Sequence, residues 1–247
     1  MKIHLVILNK NLIVDVSPIS FNTKRAMFPT PCDWLLRQSK ALSFNHTLPV
    51  LDELVGGLCP GQVIELCGPS GIGKSKICWH LVRDCLNAGK KAVVVSSKNI
   101  LGSDLENLSN SENLSICYVS SVYELLVTLS SVDSLQVSLV VIDGIQSLLQ
   151  AVLGAAHFKG HALLNNVKSA VSTLAVKSLV VYTNGLVSVG EGNHGPALGR
   201  AWEIAPSVRV MMLSRPGGVR VMWRNTEVTA RLVVNDLGVE ITWYQSD

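Results

Sequence analysis

The chain has 247 residues, of which 48% are hydrophobic and 16% charged, enough to bury a substantial core in one compact domain. A formal charge of +3 is too small to imply nucleic acid by itself, because a strongly binding surface would carry a basic face or run. The six cysteines contain no C-x-x-C pair and the six histidines form no zinc set, so the cysteines read as small core residues of a reduced compartment rather than disulfides or metal ligands.

The start, Met1 to Leu8, is apolar but breaks at Asn9-Lys10-Asn11, too early for a signal-peptide core or a membrane span. Residues 3–8 and 12–16 predict two short strands, and 17–31, rich in Pro, Ser, Thr and Asn, predicts a linker. The expected division is an arm over 1–33 and a core over 34–247, opening with short helices near Trp34 and over 50–55. A strand over 63–67 and a helix from Ser75 to Asn87 follow, the helix carrying Ile77, Cys78, Leu81, Val82 and Cys85 at helical spacing. The β-branched runs 92–95 and 116–119 suit strands buried on both faces, and Ser121 with Glu124 forms a capping box for the next helix. A third buried strand over 138–143 ends in Asp143, a helix is expected over 162–177, and a fourth core strand over 179–182. Beyond Arg209 come short strands at 208–213, 219–223, 230–234 and 239–243, with a Pro216-Gly217-Gly218 turn. Alternating strands and helices imply an α/β fold, a mainly parallel sheet flanked by helices, with an antiparallel C-terminal extension.

Between the strand at 63–67 and the helix from Ser75 lie Gly68, Pro69, Ser70, Gly71, Ile72, Gly73, Lys74 and Ser75, which satisfy G-x-x-x-x-G-K-[ST] in its required context. Glycines let the backbone curl until successive N–H groups point inward at phosphate oxygens, where a Cβ would obstruct the approach. Lys74 can reach the β- and γ-phosphates, Ser75 can offer its hydroxyl to Mg²⁺, and the helix directs its positive end at the same charge. A bound nucleoside triphosphate is expected, with ATP and Mg²⁺ as cofactors. Such a loop needs a carboxylate on a neighbouring strand for the metal, and Asp143 is the candidate, although a helix N-cap after a buried strand is its other reading.

Several stretches together resemble the RecA/Rad-fifty-one recombinase superfamily, and within it the accessory recombinase paralogues of delta type. They are Leu51-Asp52-Glu53-Leu54-Val55-Gly56-Gly57 ahead of Gly61 to Pro69, then Val180-Val181-Tyr182-Thr183-Asn184, then Pro196-Ala197-Leu198-Gly199-Arg200-Ala201-Trp202. Their order agrees over roughly residues 34–243. The resemblance implies a RecA-like P-loop NTPase core, a role in DNA recombination and repair, and a nuclear location. It implies as partners a recombinase filament, another paralogue or accessory subunit, and single-stranded DNA, with no membrane.

Departures from the family pattern carry as much weight. Where active recombinases end a strand in Asp-Thr-Glu, this chain has Ser96, Ser97 and Lys98, so the carboxylate that orients the attacking water is replaced by an ammonium. A slipped alignment would bring up Asp104 or Glu106 instead. The family's γ-phosphate-sensing glutamine after Thr-Asn is here Gly185, and Phe21-Asn22-Thr23-Lys24 ends in lysine where a self-association motif has alanine. Hydrolysis is expected to be weak or absent and no catalytic residue is assigned. Self-polymerisation is expected to give way to heteromeric assembly, in which the apolar arm over 3–16 pairs with a partner's sheet edge.

DNA contact has the least support in the residues. The region Gly154 to His161 has one lysine, Lys159, and Gly185 to Gly195 has neither lysine nor arginine. Both read as mobile loops as readily as a basic channel. Lys159, Arg200, Arg215 and Arg220 are the candidate contacts, while the tryptophans read as core or interface anchors. Three functions are compatible with these residues: an ATP-gated recombination accessory protein, a DNA-stimulated ATPase borrowing its carboxylate, and a small-molecule kinase. The last lacks an arginine-rich lid between Lys98 and Ser138.

Overall fold

A computed structural model describes residues 58–100, 108, 112–150, 152–153, 160–188, 190, 194–199, 202 and 206–212, and the backbone alone of 5–6, 151, 157–159, 189, 193, 218–223, 226–234 and 239–243. The expected strand at 12–16, the linker, the short helices near Trp34 and over 50–55, and the Asp104 and Glu106 alternatives lie outside these residues.

The strands are β1 (Leu5–Val6), β2 (Val63–Cys67), β3 (Ala92–Ser96), β4 (Leu114–Tyr118), β5 (Leu139–Asp143), β6 (Leu179–Asn184), β7 (Leu186–Gly190), β8 (Asn193–Pro196), β9 (Val208–Met212), β10 (Gly218–Trp223), β11 (Thr226–Val234) and β12 (Val239–Trp243). The helices are α1 (Lys74–Asn87), α2 (Val122–Asp133), α3 (Ile145–Leu153) and α4 (His157–Ala175). One sheet runs in the order β1-β4-β3-β5-β6-β2-β9-β10-β11-β12, and β7 and β8 form a separate hairpin. The six strands from β4 to β9 in that order are parallel, β1 is antiparallel at one edge, and β10 to β12 add the antiparallel extension at the other.

The two faces follow from the period of two in the strands. Ile64, Leu66, Val94, Val141, Val181 and Val210 pack on one side with Ile77, Leu81 and Cys85 of α1. Their neighbours Val63, Val93, Val95, Val140, Ile142 and Val180 pack on the other with Leu125 and Leu129 of α2, Leu149 of α3 and Val167 and Val171 of α4. Burial on both faces is why the central strands read as unbroken apolar runs. The capping box is offset by one residue. The Ser121 hydroxyl accepts from the Glu124 amide at 3.2 Å, but the Glu124 carboxylate accepts from the amide and hydroxyl of Ser120, at 2.7 and 2.9 Å.

Three expectations are corrected. Leu5 and Val6, in the arm expected on a partner's sheet edge, pair instead with Cys117 and Ile116 of β4 in the chain's own sheet. The stretch 157–161, expected in a loop, forms the first turns of α4, which starts at His157. Gly160 makes this possible, because a Cβ there would stand 2.6 Å from the Val152 carbonyl oxygen at the end of α3. The stretch 185–195, also expected as a loop, contains the β7–β8 hairpin.

Cys59, Cys67, Cys78, Cys85 and Cys117 are buried and joined in no disulfide among the described residues. Burial is the main cause that raises the thiol pKa of Cys67, Cys78, Cys85 and Cys117, the Cys85 value up to about 12, which keeps them unreactive. Trp202 is a core anchor, fully buried with its indole N–H donating to the Tyr182 hydroxyl at 2.8 Å and its ring edge-on to the tyrosine, centroids 5.6 Å apart. Tyr182→Phe strands that indole N–H without its acceptor. Urea denaturation of the variant is expected to show a loss of about 1–3 kcal/mol.

Candidate functional site

The loop after β2 curls back because its glycines permit it. Gly71 and Gly73 have φ of 78° and 103°, in the left-handed region, and a Cβ on Gly68 would meet the Ile72 side chain at 2.9 Å and Met212 at 3.1 Å. Gly73 is the N-cap of α1 and offers no side-chain cap, so the first amides of the helix are not taken by a capping side chain. Lys74 Nζ donates to the carbonyl oxygens of Gly68 and Pro69, both at 2.7 Å, so the ammonium lies across the loop. Burial, and then the charge of Lys98, lower the Lys74 pKa from the ordinary lysine value. An amide-lined curl at a helix N-terminus with a half-buried ammonium can receive a phosphate group.

The end of β5 brings the second half of the site to the loop. Asp143 Oδ2 accepts from the Ser75 hydroxyl at 2.8 Å and Oδ1 from the Thr183 hydroxyl at 2.6 Å. The same threonine oxygen accepts from the Gly144 amide at 2.8 Å. Asp143 thus joins the start of α1 to the ends of β5 and β6, and the two residues expected to serve a metal, Ser75 and Asp143, stand together. Thr183 is a participant that the sequence reading did not assign. Its signal was present, since a hydroxyl near the end of a buried strand needs a partner.

Lys98 reaches the same carboxylate. Its Nζ lies 3.5 Å from Asp143 Oδ1, with the lysine side chain 54% exposed and the aspartate 12%. The turn that carries it is fixed: the Ser96 hydroxyl donates to the Lys98 carbonyl at 2.8 Å and accepts from the Lys98 amide at 3.1 Å. The Ser97 amide donates to the Asp143 carbonyl at 3.0 Å, tying the turn to β5. Gly144 has φ of 92°, and a Cβ there would stand 2.2 Å from Ser97 Oγ and 3.2 Å from Lys98 Cε, so the lysine stem lies closely over that glycine.

At Gly185, after the Thr-Asn pair, the space beside the backbone is already filled. A Cβ would be 1.9 Å from the Gln146 side-chain oxygen, so the carboxamide of a glutamine on the first turn of α3 lies where a side chain at 185 would start. Nothing in the sequence pattern ties positions 146 and 185 together, and only the packing of α3 against β6 does.

Beneath the loop lies a buried ion pair. Glu65 on β2 is fully buried and pairs with Arg209, its register partner on β9, through the arginine Nε. Its other oxygen accepts from the Asn184 carboxamide at 2.7 Å, and Asn184 Oδ1 in turn accepts from the Gly185 amide at 2.8 Å. Burial works against the Arg209 charge, but the Glu65 carboxylate outweighs it and leaves the guanidinium pKa above its ordinary value. Sequence reasoning missed this pair, because a lone glutamate in an apolar strand does not announce its partner 144 residues away.

Lys159 belongs to the first turn of α4, and Arg220 sits in β10 opposite Met211 of β9 and Thr229 of β11. Arg200 and Arg215 lie outside the described residues. No group of three or more His, Cys, Asp or Glu side chains among the described residues is placed to hold a metal. None of the described helices is long and apolar enough to cross a membrane.

No protein-family model matches the chain. Among curated proteins it is similar to the DNA repair protein RAD51 homolog 4 of Bos taurus, 25% identical over 203 residues that cover 70% of this chain and 62% of that protein. It is similar also to the RAD51-like protein 1 of Caenorhabditis briggsae, 25% identical over 203 residues, 76% of this chain and 80% of that one. Protein RecA of Caulobacter is 34% identical over a shorter stretch of 102 residues, 38% of this chain and 27% of that protein. The chain spans about six tenths of the length of the vertebrate RAD51 homologues it matches. These likenesses, at low identity, support the RecA/Rad51 superfamily, and the α/β sheet with its antiparallel extension is consistent with a RecA-like core.

Proposed function

We propose that this chain is an ATP-binding recombinase paralogue of delta type that acts in homologous-recombination repair, with weak or no hydrolysis. The observation that carries the reading is the pairing of the Gly68–Ser75 cradle with Asp143 and Lys98 at one spot. The cradle suits a triphosphate: its amides and Lys74 take the β- and γ-phosphates. Lys98 would account for weak or absent turnover, since a charged ammonium cannot take a proton from an attacking water. The likeness to RAD51 homologues supports the pathway.

The hydroxyl of Ser75 and the carboxylate of Asp143, 2.8 Å apart, are oxygen donors of the type that fits Mg²⁺, directly or through water. When bound with ATP, such an ion neutralises phosphate charge. Within the pathway the protein would join a heteromeric complex in the nucleus and stabilise or remodel recombinase filaments on single-stranded DNA. The nucleotide then works as a conformational clamp.

Single-turnover ATP hydrolysis with and without single-stranded DNA tests the reading. The wild type is expected to convert bound ATP at less than about 1% of the ordinary enzymatic rate of ~10 s⁻¹, with and without DNA. Lys98→Glu is expected to raise the rate. Robust DNA-stimulated hydrolysis by the wild type would instead identify a motor-type ATPase that draws its carboxylate from elsewhere. Phosphoryl transfer to a small acceptor would identify a kinase.

A further inference from the structure

Resting on the nucleotide reading just given, we propose that Lys98 stands in for the divalent cation, so that the cradle binds nucleoside triphosphate with little dependence on Mg²⁺. Three donors already meet the Asp143 carboxylate: the Ser75 hydroxyl at 2.8 Å, the Thr183 hydroxyl at 2.6 Å and the Lys98 ammonium at 3.5 Å. A metal held by this carboxylate would have to displace the Lys98 ammonium or share the oxygen with it. The electrostatic case for the metal is also weakened. Among the described residues two ammoniums, Lys74 and Lys98, outnumber the one carboxylate, Asp143, at the cradle, which on that count faces a phosphate chain with net positive charge before any ion arrives.

The position of Lys98 is built rather than incidental. Its backbone turn is closed on Ser96, the adjacent Ser97 is tied to β5 and to Ser147, and its Cε lies over Gly144, where a Cβ would crowd it. The side chain as a whole is 54% exposed, so the stem is directed while the ammonium has room to turn from Asp143 toward a phosphate oxygen. Lysine is suited to the task, being a compact charge on a flexible stem.

The test is equilibrium binding of a fluorescent ATP analogue, mant-ATP, in EDTA and in excess MgCl₂. The proteins are the wild type, Lys98→Arg, Lys98→Ala, Lys98→Glu and Lys74→Ala, with a thermal melt of each to confirm folding. The wild-type Kd is expected to differ by less than about threefold between the two conditions, and Lys98→Arg to behave likewise. Lys98→Ala and Lys98→Glu are expected to lose about tenfold or more in EDTA and to recover with Mg²⁺, which makes binding metal-dependent. Wild-type binding that needs Mg²⁺ and is abolished by Lys74→Ala would overturn the role of Lys98 while leaving the nucleotide site standing. Equal EDTA affinity in wild type and folded Lys98→Ala would also overturn it. No binding in either condition would sink the nucleotide reading and this inference with it.

Discussion

Arg209→Ala is expected to destabilise the fold by about 3–5 kcal/mol, read as a shift in the midpoint of urea denaturation with unchanged slope. The cost comes less from the lost attraction than from what remains. Glu65 has no exposed surface, and without the guanidinium its charge would be held by the neutral Asn184 carboxamide and Cys67 thiol. A buried carboxylate in that state either retains an uncompensated charge or takes up a proton, and both are expensive. The double variant Arg209→Met with Glu65→Leu should recover much of the loss, since an apolar pair of similar volume carries no desolvation penalty. If Arg209→Ala alone proved as stable as the wild type, the pair would not be the buried contact described. The damage should also reach the site, because Glu65 orients Asn184, whose side chain holds the Gly185 amide.

The largest functional effect is expected from Lys74→Ala, which should weaken ATP binding about 100-fold or more, measured by calorimetry on the folded protein. Two contributions act in the same direction. The variant removes the charge nearest the expected phosphate position and also the bridge that holds the Gly68 and Pro69 carbonyls together, both at 2.7 Å. Lys74→Arg separates them: it keeps the charge but not a head compact enough to bridge two carbonyls, and an intermediate loss is expected. A Kd unchanged in Lys74→Ala would mean that ATP, if it binds, does so elsewhere.

Much of this was legible in the residues because both periods were clean. The central strands, buried on each face, appear as β-branched runs, and β2, β3 and β5 fall where those runs are. α1 follows its apolar spacing to within a residue, and the glycines of the loop mark its curl. Less legible was whatever depends on contacts between distant segments. α3 is a nine-residue helix directly behind Asp143, where the sequence analysis offers a helix only through the alternative reading of Asp143 as an N-cap. The β7–β8 hairpin, with a register shift between Ser188 and Gly190, is rich in glycine and was read as a loop. The sequence analysis reads Lys98 as standing in place of a carboxylate, but its contact with Asp143 depends on a turn whose direction is set by Ser96, Ser97 and Gly144 together. The sequence analysis reads Gly185, by resemblance, as the position of a missing sensor side chain. It could not show that Gln146 fills the gap.

The order of the strands also bears on when each part of the molecule opens. β2, β5 and β6, whose ends carry the cradle, Asp143 and Thr183, have hydrogen-bonded strands on both sides, whereas β1 and β12 are the outermost strands of the sheet. Opening free energies rise from such margins toward the centre, so deuterium should enter the amides of β12 long before those of β5 and β6. Ligand sites are commonly drawn from the labile end of that range, but this one is anchored at the opposite end. Conformational signalling by this protein would therefore have to use the side chains of Lys98 and Gln146 and the hairpin beyond Gly185, not the melting of the frame that carries them.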